Sequence, residues 1–463
     1  MLGLIAVGRA AALGRILSLS VLAIIGAPLV APALFPPVRA QSEQWQAHNR
    51  AGVESLMKGD YVEAAAQLEA AREAAEHFGP NDLRLAVTLD RLASVYVALA
   101  RHDEAEPIYQ RVIAIFESAL GPDHPSTAAS LHNLAEFERA RGNADEAESL
   151  YRRARGIFED ALGRRHPDVT PTLGGLAALY AEDGRYAEAE ALFNRVVSIR
   201  RKGLGSRHPD LAAGYTSLAE FYQARGRMDE AEAAAESALK VMVAALGPND
   251  PGVTPALDAL AALYFSQGLY PKAQPLLERS LAIRERAYGP DHPSMAIALN
   301  RVAALAYAQR RFEVVEPLVL RAVAILERER GPNHIDVAQS LNLLGALYQA
   351  QRRYAEAETA HDRALAIRLE ARGPHHPEVA ESLENLAAVY SAQERYGEAD
   401  PLFKRAIAIR EQAPGPSASA LRQVLGGYAV LLRTTGHESE AESIEARIEE
   451  LRSGAGPARA SPN

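Results

Sequence analysis

The chain has 463 residues, 48% hydrophobic and 24% charged, with 50 basic residues against 59 acidic ones and a formal net charge of −9. That composition belongs to a folded chain rather than a disordered one, and the sign of the charge opposes general binding to nucleic-acid phosphate. Cysteine is absent, which excludes disulfides, thiolate metal sites and lipid attached through cysteine.

Residues 1–40 differ in kind from the rest. They contain Arg9, Arg15 and Arg39 but no acidic residue, and residues 16–38 are uncharged and rich in Leu, Ile, Val and Ala. Val38-Arg39-Ala40 ends the segment in the small-x-small manner of an export cleavage site, while Pro28, Pro32, Pro36 and Pro37 oppose a long regular helix. The expectation is an export signal over 1–40 and a mature protein from Gln41, periplasmic or secreted. The alternative is an N-terminal membrane anchor, if residues 16–38 are retained. Without the three arginines the mature chain carries 47 basic and 59 acidic residues, a net −12.

From there a single unit repeats. Glycine recurs every 42 residues, at Gly79, Gly121, Gly163, Gly205, Gly247, Gly289, Gly331, Gly373 and Gly415, and a period in that range means a solenoid or array. Counting each glycine as position 0, position 10 holds a large residue such as Leu131 or Leu341, position 13 holds Leu134 or Leu344, and position 14 holds only Ala or Gly. Further large residues at 16 and 17 complete one helical stripe. A second stripe follows, with Ala147, Ala189 and their equivalents at position 26 and Ile157, Ile199 and theirs at position 36.

Both ends of each helix are punctuated. Gly142, Gly184, Gly226, Gly268 and Gly436 stand between the two stripes, where a helix stops. Each repeat opens on a Gly-Pro-x-His/Asp-Pro type of loop whose last proline suits a first helical position. Each repeat is therefore an antiparallel helix pair, and residues 43–78, with Gly59 at their turn, add a tenth. The polar last helix, ending near Leu451, suits the exposed end of an array. Repeats fill residues 41–452, and 453–463 form a small, polar, disordered tail.

Position 3 holds His124, His166, His208, His292, His334 and His376, but also Asp82 and Asp250. Interchange of His with Asp before a helix-starting proline indicates an N-cap. Neighbouring repeats are also about 20 Å apart, two interaxial distances, beyond shared metal ligation. No metal, cofactor or catalytic residue is assigned, since Ser237 to Lys240 lies mid-helix and no nucleophile or phosphate-loop motif is present.

Large-x-x-Leu-Ala-x-x-Tyr followed by Ala, an aromatic and Ala is similar to the tetratricopeptide repeat: Leu131, Leu134 and Ala135, then Ala147, Tyr151 and Ala154. The usual period is about 34 residues, and eight more add roughly a turn to each helix. With its Leu-Gly-Pro-Asp-His-Pro loops, this longer form resembles the repeats of kinesin light chains and their bacterial relatives. No heptad coiled coil accompanies it, so motor attachment does not carry over.

The resemblance implies an all-α, right-handed superhelix of about ten helix pairs whose first helices line a concave groove for partner proteins or extended peptides. By that analogy positions 8, 11, 12, 15 and 18 face the groove, which gives His132, Asn133, Glu136, Arg139, Asn300, Arg301, Tyr307, Asn342 and Asn385 as contact residues. Asparagine both donates to and accepts from a peptide backbone. The expected function is a non-enzymatic interaction scaffold, with no nucleic acid among its partners. Two rivals are a structural subunit of a cell-envelope assembly and a receptor for a small molecule or glycan.

Overall fold

The computed structural model describes residues 36–412 and 418–453, which form twenty α-helices and, among the described residues, no strand. They divide into two compact units, 36–291 and 292–453. The first contains α1 (Pro36–Lys58), α2 (Tyr61–Glu76), α3 (Leu83–Ala98), α4 (His102–Leu120), α5 (Pro125–Arg141), α6 (Ala144–Leu162), α7 (Thr170–Glu182), α8 (Tyr186–Gly203), α9 (Pro209–Ala224), α10 (Met228–Leu246), α11 (Thr254–Ser266) and α12 (Tyr270–Tyr288). The second contains α13 (Pro293–Ala308), α14 (Phe312–Arg330), α15 (Ile335–Ala350), α16 (Tyr354–Arg372), α17 (Pro377–Ala392), α18 (Tyr396–Gln412), α19 (Ala418–Thr434) and α20 (Glu438–Ser453).

Each odd-numbered helix folds back on the even-numbered one that follows, giving ten pairs, and within each unit successive pairs stack. Residues 1–35, which hold most of the expected export segment, and 454–463 of the expected tail lie outside the described residues. The last helix extends through Ser453, one residue into that tail.

The 42-residue columns form the core. Leu131, Ala135, Ala147, Tyr151 and Ala154 are buried, as are Leu341, Leu344, Leu347 and Ala357. Alanine where helices cross lets their axes approach. The position-3 residues are caps: Nδ1 of His124 accepts from the backbone N–H of Ser126 (3.1 Å), and Nδ1 of His208 from that of Asp210 (3.2 Å). Asp250 does the same through its carboxylate for Gly252 (2.8 Å). Two elements of different chemistry thus satisfy one orphan helix donor.

A second column set joins successive pairs. Tyr180 donates to Glu148 of the preceding pair (2.8 Å), Arg185 bonds the same carboxylate (3.0 Å), and its guanidinium lies 3.7 Å from the Tyr180 ring centre. Tyr222, Glu190 and Arg227 repeat the arrangement one pair on. In the second unit Tyr348, Glu316 and Arg353 do so, followed by Tyr390, Glu358 and Arg395. A half-exposed cation–ring contact contributes about 0.5–1 kcal/mol, so this ladder sets the stacking register more than it adds stability.

Candidate protein-binding face

The first helix of each pair turns one stripe outward, and position 11 is not part of it. Position 11 instead faces position 37 of its own second helix. Asp258 meets Arg284 there at 2.7 Å, both nearly buried, and Glu384 meets Arg410 at 3.2 Å. Asn342 is only 8% exposed and lies beside Arg368 and His361. With its amide oriented to satisfy both neighbours, it donates to His361 Nδ1 (3.2 Å) and accepts from Arg368 (2.9 and 3.1 Å).

This corrects the expectation of a solvent-facing strip at His132 and Asn342. His132 is 7% exposed, its ring packed 5.7 Å from that of Tyr151, and burial depresses its pKa. The helix phase explains why. Position 11 lies one residue after the core position 10, and the crossing of the two helices encloses both.

The remaining expected residues are half-buried and mostly bonded within the repeats. Asn133 donates to Asp90 one pair earlier (2.9 Å), and Asn300 donates to Ser340 one pair later (2.7 Å). Glu136 accepts from the Tyr151 hydroxyl (2.5 Å) and from Arg139 (2.8 Å), and Arg139 reaches Glu182 (2.5 Å). Burial alone would raise the Glu136 pKa, but Arg139 and His132 hold the carboxyl below its ordinary value. Arg301, Tyr307 and Asn385 keep part of their surface in solvent, and the Tyr307 hydroxyl points at the Ala346 carbonyl (3.4 Å).

The outward stripe therefore runs through positions 8, 12, 15 and 18, although Leu343 at position 12 and Ser94 at position 15 are buried. In the unit from His292 onward it presents Ile297, Arg301, Gln339, Gln349, Asn385 and Val430, all exposed or half-buried. Ile297 is 41% and Val430 66% exposed. No position-8 residue was named among those expected, although the family resemblance had placed that position on this face: Gln339 has the same amide chemistry as the asparagines. Among the described residues no group of three potential metal ligands converges, and no helix is long and apolar enough to cross a membrane.

The model of the tetratricopeptide repeat family matches this chain in eight segments running from 46–118 to 380–453. The chain belongs to the tetratricopeptide repeat family. A solved structure of a kinesin light chain from Podosopora anserina, described as putative and as having nearly identical TPR-like repeats, is 32% identical; the match covers 45% of this chain and 98% of that one, with a TM-score of 0.38. BtubC (BKLC) from P. vanneervenii is 24% identical over 59% of this chain and 91% of that one, TM-score 0.32. A Rap protein solved in complex with Competence and Sporulation Factor is 14% identical over 89% and 98%, TM-score 0.47. Comparison with curated proteins gives no match. Tetratricopeptide repeat arrays of this kind are scaffolds for contact between proteins.

Proposed function

We propose that this tetratricopeptide repeat protein holds an extended segment of a partner protein along the first-helix face of the unit from His292 onward. The observation that carries the reading is the row of outward amides, Gln339, Gln349 and Asn385, interleaved with small residues such as Ala346 and Ala388. Amides spaced along a face bond a peptide backbone without selecting its side chains, and small neighbours let that backbone approach. Arg301, at the same face, suits a carboxylate.

Affinity capture followed by mass spectrometry identifies the partner, and a Gln339→Ala/Gln349→Ala/Asn385→Ala variant tests the face. Each lost backbone bond costs about 0.5–1.5 kcal/mol, so the triple variant binds roughly tenfold more weakly or worse while melting almost normally. Full-strength binding by that variant would reject this face and favour a structural subunit bound elsewhere.

The same reading includes export. Cleavage after Ala40 removes only the start of α1 and leaves Trp45, whose indole N–H bonds Thr88 (2.8 Å) and ties the first pair to the second. N-terminal sequencing of the native protein reads Gln41 first; Met1 on a membrane-embedded chain means an anchor instead.

A further inference from the structure

The face built by the second helices carries its own repeating ion pair, between position 32 of one repeat and position 38 of the repeat before. Arg153 meets Glu117 (2.6 Å), Arg195 meets Glu159 (2.7 Å), Arg363 meets Glu327 (2.5 Å) and Arg447 meets Glu411 (2.7 Å). The same arginines reach the loop that opens their repeat, as Arg195 does to the Arg164 carbonyl (2.9 Å) and Arg363 to that of Pro332 (3.0 Å). On α10 the pattern fails twice. Ser237 stands in the arginine column, and Val243 stands in the glutamate column opposite Arg279 of α12. Arg279 still holds its loop carbonyl, that of Pro248 (2.7 Å), but meets valine where Arg153, Arg195, Arg363 and Arg447 meet a carboxylate, as Arg405 stands opposite Leu369 in a later repeat.

Between α10 and α12 there is a cleft of about 490 Å³. Leu239, Val243 and Ala244 of α10 line it, with Leu260 of α11 behind them. Lys240 and Arg279 stand at its rim, together with Glu236. The lining stretch of α10, residues 236–244, is about 12 Å long, or two helical turns.

We infer that this cleft is a second docking site, for an amphipathic helix of a partner whose apolar stripe is flanked by glutamate or aspartate. Two side-by-side helices form a groove that a third helix fills by the same ridge-and-groove packing, and Leu239 and Val243, four residues apart, offer it an apolar row. The partner's carboxylate supplies to Arg279 what the repeat supplies elsewhere, and Lys240 beside it adds a second cation. A basic helix is disfavoured by that pair, with only Glu236 to attract it.

The test uses the full chain and a synthetic amphipathic helix of about 18 residues, five turns, with leucine on one face and flanking glutamates. Its lysine-flanked counterpart and phosphatidylglycerol vesicles are the comparisons, read by fluorescence anisotropy at low salt and by amide exchange. The expected result is saturable binding of the glutamate peptide with protection on α10 and α12. Val243→Glu supplies the carboxylate that Glu117, Glu159, Glu327 and Glu411 supply in their repeats, so it folds as the wild type does yet weakens binding by about tenfold or more. Lys240→Glu/Arg279→Glu, on surface positions, has the same effect on binding. Equal binding to these variants, tighter binding of the lysine peptide, or binding of vesicles alone overturns the proposal.

Discussion

A Cβ on Gly345 would lie 2.5 Å from Nε2 of His361. His361 occupies position 30 of its repeat, where Phe193 and Phe403 stand in others, and only a glycine on the facing first helix leaves room for its ring. The imidazole is 1% exposed and its Nε2 has no hydrogen-bond partner. Burial, reinforced by the Arg368 guanidinium, brings its pKa from 6.5 down to about 4.

That depression makes stability depend on pH in one direction. Below pH 6.5 the unfolded chain takes up a proton that the folded one refuses, so stability present above that value is lost as the pH falls toward 4. The loss is at most about 3 kcal/mol. His361→Phe removes it. Urea unfolding of both proteins between pH 7 and pH 4.5 shows the wild type losing stability relative to the variant on acidification, and parallel curves reject the assignment.

The Asp258–Arg284 pair sets up a swap already written in the chain. Where position 11 is Thr216, position 37 is Met242; where it is Asn300, position 37 is Leu326. Arg284→Met alone leaves a buried carboxylate uncompensated and costs about 3–5 kcal/mol. Asp258→Thr/Arg284→Met recovers most of that loss. Thermal melts of the two variants decide, and a double variant no more stable than the single one defeats the argument.

These pairs show what the sequence discloses and what it hides. The helix pairs, their turns and the capping histidines were legible because each depends on local spacing: Leu131 and Leu134 mark a stripe, and His124 precedes Pro125. Which polar residues of the first helix reach solvent was not legible. Asn342 and Asn385 differ by a single helical position, 11 against 12, and a rotation of about 100° is enough to bury one against Arg368 and leave the other half-exposed. The partner that buries position 11 lies 26 residues on, as between Asp258 and Arg284, and becomes visible only when the two columns are compared across repeats.

The turn between paired helices allows a gain in stability. Glycine takes positive φ there in most repeats, but Ala100, Arg310, Arg352 and Glu394 adopt φ near +60° with a side chain present. A non-glycine residue in that region bears about 1–2 kcal/mol of steric cost, partly offset by its lower freedom when unfolded. Glu394→Gly therefore raises stability by about 0.5–1 kcal/mol, measured as a higher urea midpoint at unchanged slope. A lower midpoint shows that the side chain is needed at that turn.

The final prediction separates structure from binding on one face. Asn342 and Asn385 lie on neighbouring first helices, α15 and α17, at columns one residue apart. Losing the Asn342 amide leaves Arg368 and His361 short of a buried partner, so Asn342→Ala destabilises the protein by about 1–3 kcal/mol. Asn385 is half-buried on the outward stripe, and Asn385→Ala changes stability by about 0.5 kcal/mol or less. If a partner segment lies along this face, binding follows the opposite order: Asn385→Ala weakens it directly, whereas Asn342→Ala leaves it unchanged under conditions in which the variant remains folded. Paired melting and titration experiments measure both quantities. Equal stability costs would put the two columns in one environment, contrary to the helix phase described here, and weaker binding only in Asn342→Ala would move the partner away from the outward stripe.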